Sequence, residues 1–264
     1  MVENDDIWAK FGVNEEGYGV AEEGPLKPDS PIHDAYLVQT FPDPLVTGDV
    51  EKRRHFEELC REWGNVSYPW YDTLRVYQFM MLIDIANKLP SGDCIEVGTF
   101  AGESARYIWR FMDQQQSLYC FDTFEGFDAG EVEAENALFE KDIPVDFLRG
   151  NPTNEVRRHI TKGKDGPDLN LVKGRFPGSF EGYEHLRFRF AHVDVDLYEP
   201  TRATLEAIWP HIVPGGVMLF HDYGCSLFPG VSKAVDEFFE PLGITPMPLC
   251  DKLVSAAVIK PKHV

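Results

Sequence analysis

The sequence predicts an α/β fold: a mostly parallel seven-stranded sheet with helices on both faces, finished by an antiparallel hairpin. Three observations carry that reading. From Asp93 onward, short apolar runs alternate with segments of helical spacing. The first run, Cys94–Val97, stops at a glycine, and the turn Gly98-Thr99-Phe100-Ala101-Gly102 then leads into a helix. The last two runs, Ile244–Leu249 and Leu253–Ile259, are separated only by Cys250-Asp251-Lys252. No crossover helix fits there, so these two must pair antiparallel at the sheet edge.

Residues 1–48 are rich in Gly, Pro, Asp and Glu and show little periodicity. Asp49–Trp63 places Phe56, Leu59, Cys60 and Trp63 at helical spacing. Tyr71–Leu89 is a second helix, with Leu74, Tyr77, Met81, Ile85 and Leu89 on one side. The cluster Tyr68-Pro69-Trp70-Tyr71 joins the two and suits core packing first, a cleft lining second. Parallel strands are expected at Cys94–Val97, Leu118–Phe121, Leu169–Val172, Phe188–Val193 and Val217–Phe220. Helices are expected at Ser104–Met112, Asn154–Thr161, Pro200–Trp209 and Val231–Phe239. Their alternation implies right-handed crossovers. The chain thus divides into an acidic N-terminal extension with a lid helix, residues 1–67, and a sheet domain, residues 68–264.

Composition limits the function. The 264 residues carry 44 Asp and Glu against 25 Lys and Arg, a formal charge of -19. Residues 1–50 hold eleven acids against Lys10 and Lys27, a net of -9. So acidic a chain repels a phosphate backbone, which argues against nucleic acid as a partner. The acidic arm reads as a solvated segment before it reads as a recognition tail. No apolar run is long enough to span a membrane, and the N-terminus lacks a basic-then-apolar signal pattern. The five cysteines are widely spaced, with no C-x-x-C, as suits free thiols in a reducing cytoplasm. Oligomeric state is not legible, and a homo-oligomer is compatible with everything above.

In an open parallel sheet, ligands lie beyond the carboxyl ends of the strands. The residues expected there are informative. Glu96, Gly98, Thr99, Gly102 and Ser104 surround the first turn. Asp122, Thr123 and Phe124 follow the second strand, and Gly174, Arg175 and Phe176 follow the third. Asp194 and Asp196 follow the fourth; His221 and Asp222 follow the fifth. The glycine spacing is G-x-x-x-G, not the closer spacing of dinucleotide binders. A carboxylate at Glu96 would repel a pyrophosphate and attract a cationic group, which suits S-adenosylmethionine. The alternative is an α/β turn with no ligand. Asp122 could accept the ribose hydroxyls of either adenosine cofactor, or simply cap its own turn. Asp194, His221 and Asp222 could hold a divalent cation: the carboxylates suit Mg²⁺, and the imidazole moves the preference toward Mn²⁺ or another transition metal. Alternatively they hydrogen-bond loop backbone.

Five motifs in this order resemble the macrocin O-methyltransferase family. They are Ile95-Glu96-Val97-Gly98-Thr99-Phe100-Ala101-Gly102, Phe121-Asp122-Thr123-Phe124-Glu125-Gly126, Lys173-Gly174-Arg175-Phe176-Pro177, Asp194-Val195-Asp196-Leu197-Tyr198-Glu199, and Pro214-Gly215-Gly216 with His221-Asp222-Tyr223. The resemblance covers about residues 68–260. It implies a Rossmann-like class I methyltransferase fold and an S-adenosylmethionine-dependent, Mg²⁺-dependent enzyme. Its acceptor would be a small, glycosylated natural product methylated on a sugar hydroxyl. By the same resemblance Asp194 and Asp222 are metal ligands and Asp196 is the general base. His221 departs from the family, which has a second Asp there. It keeps a ligand-capable group with less negative charge. A metal-free enzyme would use Asp196 or His221 as the base. A nicotinamide oxidoreductase is the nearest rival, but it would want the closer glycine spacing and a separate proton donor.

Overall fold

The computed structural model describes residues 73–148, 150–251 and 254–262, together with Arg54, Phe56, Glu58 and Leu59. Those four are helical, as expected of Asp49–Trp63. The expectations for residues 1–48 and for Tyr68–Tyr71 lie outside the described residues. The chain forms two compact units, Met1–Tyr77 and Gln78–Val264.

The second unit is a seven-stranded sheet with the order β3-β2-β1-β4-β5-β7-β6. Its strands are β1 (Asp93–Val97), β2 (Ser117–Asp122), β3 (Asp168–Lys173), β4 (Phe188–Val193), β5 (Ile212–Phe220), β6 (Met247–Pro248) and β7 (Ala256–Ile259). The first five are parallel; β7 runs antiparallel to both β5 and β6. The helices are α1 (Thr73–Asn87), α2 (Glu103–Phe111), α3 (Ala129–Phe139), α4 (Thr153–Thr161), α5 (Tyr198–Ile208) and α6 (Pro229–Phe239). All five parallel strands and the terminal antiparallel pair fall where the sequence puts them. The expected strand Ile244–Leu249 shrinks to Met247–Pro248, because Pro246 and Pro248 cannot donate to a ladder. Among the described residues, no helix is long and apolar enough to cross a membrane.

Alternation along the strands divides the core. Ile95, Val97, Phe121, Val193, Met218 and Phe220 face the layer that holds Leu205 of α5 and Val235 and Phe239 of α6. On the opposite face, Phe190 and His192 meet Phe79 of α1, and Phe79 in turn packs edge-on against Tyr107 of α2. This corrects the expected face of α1. Phe79, Met80, Ile83 and Ala86 are buried, whereas Ile85 is 38% exposed. The segment is apolar nearly all round, so spacing alone could not choose its inner side.

The sequence pattern missed helix α3 altogether. Its two buried residues are Val132 and Glu135, so its inner stripe is half polar. Glu135 explains why. It is 2% exposed, and its carboxylate accepts Tyr198 N–H at 2.8 Å and Gly230 N–H at 3.2 Å. One carboxylate therefore caps the first turns of both α5 and α6, where free N–H groups and the helix dipoles favour an anion. Burial pushes its carboxyl above the ordinary range, and the two N–H bonds pull it back. A Cβ at Gly230 would lie 2.4 Å from Glu135 Oε1, so residue 230 has no room for a side chain. We expect Glu135→Leu to leave two buried N–H groups unpaired and to destabilise the unit by about 1–3 kcal/mol for each. Urea unfolding checks this, and Glu135→Gln, which keeps one acceptor, should lie between the variant and the parent.

Candidate active site

The sheet order reverses between β1 and β4, and the cleft opens beyond their carboxyl ends. Parallel pairing continues one residue past the strands. Gly98 N–H donates to Phe121 O at 2.9 Å, Asp194 N–H to Val97 O at 2.9 Å, and His221 N–H to Val193 O at 3.0 Å. Asp122, Gly98, Asp194 and His221 thus stand side by side in one rim row.

Gly98 has φ +88, and a Cβ there would lie 1.9 Å from the carbonyl oxygen of Asp194. Gly102 has φ +87, and a Cβ there would lie 2.8 Å from Ile160 of α4. The sequence reading gave both glycines to a ligand; their first duty is contact between chain segments. Asp122 does cap its turn: its carboxylate accepts Phe100 N–H at 2.8 Å and Phe124 N–H at 2.6 Å. It ties the turn after β1 to the turn after β2 and keeps lone pairs for a further donor.

The other residues read from the sequence are distributed unevenly. Thr99 and Phe124 are buried, and Ser104 is buried in the first turn of α2. Thr123 Oγ1 donates to Gly126 O at 3.0 Å within its own turn. Gly174 N–H donates to Asp122 O at 2.9 Å, which places the turn after β3 beside Asp122. Arg175 is 61% exposed and pairs with Glu131 at 2.5 Å and Asp128 at 3.6 Å, on the N-terminus of α3. Phe176 packs edge-on against Phe121 at 5.5 Å. The last two are therefore engaged with the protein.

Asp194, His221 and Asp222 do converge: each offers one ligand atom within 4.8 Å of the others. His221 Nδ1 is 2.8 Å from Asp194 Oδ1 and 3.1 Å from Asp222 Oδ2. One imidazole nitrogen thus faces two carboxylates, and Asp222 Oδ1 is buried with no hydrogen-bond partner. This donor set fits a divalent cation, whose charge would serve both carboxylates at once.

Asp196 joins them from beyond the strand: β4 ends at Val193, so strand alternation does not set its direction. Instead Asp196 adopts φ +62, and Asp222 adopts φ +57, both in the left-handed region that side chains rarely occupy. Asp196 is 8% exposed. Burial lifts its carboxyl well above the ordinary range; the charges of Asp222 and Asp194 and a hydrogen bond to Asp222 lift it further.

Glu96 lies in β1 itself, not in the turn, and is fully buried. It stands one row below the rim, level with His192 of β4. His192 Nδ1 donates to Glu96 Oε1 at 3.0 Å, and Glu96 Oε2 is buried with no hydrogen-bond partner. An orphaned buried carboxylate oxygen fits a cationic ligand group. The sequence reading missed His192; its one signal was its position two residues before Asp194 on the same strand.

A methyltransferase-domain family model matches residues 95–223, which include every rim residue named above. Over those residues the chain is similar to that family. It is a class I methyltransferase, whose methyl donor is S-adenosylmethionine. It is 25% identical over 175 residues to the 8-demethyl-8-(2,3-dimethoxy-alpha-L-rhamnosyl)-tetracenomycin-C 4'-O-methyltransferase of Streptomyces olivaceus, covering 62% of this chain and 66% of that relative. It is 25% identical over 203 residues to the demethyldecarbamoylnovobiocin O-methyltransferase of Streptomyces niveus, covering 72% of this chain and 74% of that one. Its fold is similar to CalS11, a calicheamicin methyltransferase, with TM-score 0.60, 18% identity and coverage of 88% and 93%. It is also similar to the O-methyltransferase NovP, with TM-score 0.58, 19% identity and coverage of 86% and 97%. In this methyltransferase the switch-point glycine is fixed by the protein itself. We expect Gly98→Val to cost roughly 2–4 kcal/mol of stability, measured by urea unfolding, because the β1 and β4 ends cannot separate without breaking the rim row.

Proposed function

We propose that this methyltransferase transfers methyl to a hydroxyl of a small glycosylated natural product, with a divalent cation held by Asp194, His221 and Asp222. The carrying observation is the convergence of those three side chains, with Asp196, on the rim row that also holds Gly98 and Asp122. Both relatives are named O-methyltransferases, and the name of the first carries a rhamnosyl group, which supports an oxygen acceptor on a sugar.

The chemistry follows from the residues. S-adenosylmethionine supplies a sulfonium methyl. Asp122 would receive the ribose hydroxyls, and Glu96 the ammonium of the methionine end. A bound cation, Mg²⁺ or Mn²⁺, would make an acceptor hydroxyl more acidic. Asp196, buried at this rim, would take the proton as general base. The cleft's remaining task is to align acceptor oxygen with methyl and to exclude water. A second reading has a specific support. His221 Nδ1 lies within hydrogen-bond reach of both carboxylates, so transfer with Asp196 or His221 as base and no cation is the alternative.

The proposal extends to organisation. Residues 68–264 would carry the transfer machinery and residues 1–67 an acidic extension. The buried free thiols of Cys94 and Cys120 suit a reducing cytoplasm.

Asp122→Ala should weaken S-adenosylhomocysteine by about 1–3 kcal/mol in calorimetry, through lost charged hydrogen bonds. A chelator should suppress methyl transfer to a glycoside while leaving S-adenosylhomocysteine affinity nearly unchanged. Asp196→Asn should keep metal and cofactor binding and lower turnover by about 10²–10⁴. His221→Asp should move the metal preference toward Mg²⁺, since it restores an all-oxygen donor set. Full turnover in chelator would leave the metal-free reading standing.

A further inference from the structure

We propose that His192 is a positioning residue for the cofactor: it holds the Glu96 carboxylate so that the other oxygen of that group meets the cofactor's ammonium. The inference rests on the proposed pairing of Glu96 with that ammonium and goes beyond it in assigning the residue that makes the pairing possible.

Three observations support it. First, Glu96 and His192 are cross-strand partners in the parallel β1–β4 pair, on the same face of the sheet and one row below the rim. Their register is set by the backbone, so the pair forms wherever the sheet forms. Second, the bond uses only one carboxylate oxygen. His192 Nδ1 donates to Oε1 at 3.0 Å, and Oε2 is buried without a hydrogen bond. A fully buried ionisable group with one oxygen left over lacks a donor, and no group among the described residues supplies it. Third, His192 is itself held. Its ring is fully buried and packs edge-on against Phe79 at 4.9 Å.

A carboxylate on a strand turns freely about its last bond unless one oxygen is fixed. Fixing Oε1 aims Oε2, and the orientation is set before the ligand arrives. The pair also lies between the two halves of the site. The His192 ring is 6.5 Å from the ring of His221, and Asp194 follows His192 by two residues. The methionine end of the cofactor and the metal ligands therefore share one buried support.

The test compares two ligands by calorimetry on the full chain. S-adenosylhomocysteine carries the amino-acid end; methylthioadenosine shares the adenosine and thioether and lacks it. His192→Leu should weaken S-adenosylhomocysteine about tenfold or more and methylthioadenosine by less than about twofold. His192→Asn, which keeps an N–H near the Nδ1 position, should restore S-adenosylhomocysteine affinity to within about threefold of the parent. If His192→Leu does not fold, His192→Gln serves in its place, since it moves the donor one bond further out and should also depress the ratio of the two affinities. An equal loss for both ligands assigns His192 a purely structural role and overturns the proposal, as does an unchanged ratio in the Leu or Gln variant. Glu96→Gln is tested in parallel. If it too leaves the ratio unchanged, the pairing of Glu96 with the ammonium has failed; if it lowers the ratio while the His192 variants do not, only the role of His192 has failed.

Discussion

Everything at the active end of this protein depends on how closely β1 and β4 approach beyond their last paired residues. Gly98 lies against the Asp194 carbonyl with no room for a Cβ, and Asp194 N–H reaches back to Val97 O at 2.9 Å. That approach lets the sheet ladder run one residue past its strands. It sets Asp122, Gly98, Asp194 and His221 in line, with Glu96 and His192 one row beneath. A bulkier residue at position 98 would push β4's exit loop away and scatter the carboxylates. The functional row is thus an extension of the hydrogen-bonded sheet, and it inherits the sheet's rigidity.

Concentrating Asp194, Asp196 and Asp222 around one imidazole is unfavourable by itself. Buried like charges repel, and the rise in Asp196's proton affinity is the visible response. Two of these residues, Asp196 and Asp222, also occupy left-handed backbone conformations. Such strain persists only where the surroundings hold it in place. Here the surroundings include Glu135, whose carboxylate anchors the first turn of α5, two residues past Asp196, and the first turn of α6 beyond Asp222. Helix α3 therefore braces the helices that follow the acidic residues with an acid of its own, satisfied by backbone N–H groups.

The order of elements was legible because each strand is a short apolar run and each helix has its own spacing. The acidic cluster was legible as well, since Asp194, Asp196, His221 and Asp222 all follow strands that a parallel sheet must bring to one edge. Other features were hidden for identifiable reasons. Helix α3 has no apolar stripe, because its inward position 135 is a glutamate. The inner face of α1 was ambiguous because Tyr77, Met81 and Ile85 are as apolar as Phe79, Met80 and Ile83. The direction of Asp196 was hidden because the strand ends at Val193 and its backbone then turns left-handed.

By itself, then, the sequence determined the alternating fold, the parallel sheet with its antiparallel finish, and the set of titratable residues at the strand ends. These depend on local pattern and on chain order, which a sequence states directly. The tertiary structure alone decided what each residue touches. It put Glu96 inside the sheet with His192, gave Gly98 to Asp194 and Gly102 to Ile160, turned Arg175 to the surface acids of α3, and made Glu135 the anchor of two helices. Those assignments join residues dozens of positions apart, and they are fixed by strand register and by close packing, neither of which leaves a periodic trace in the chain.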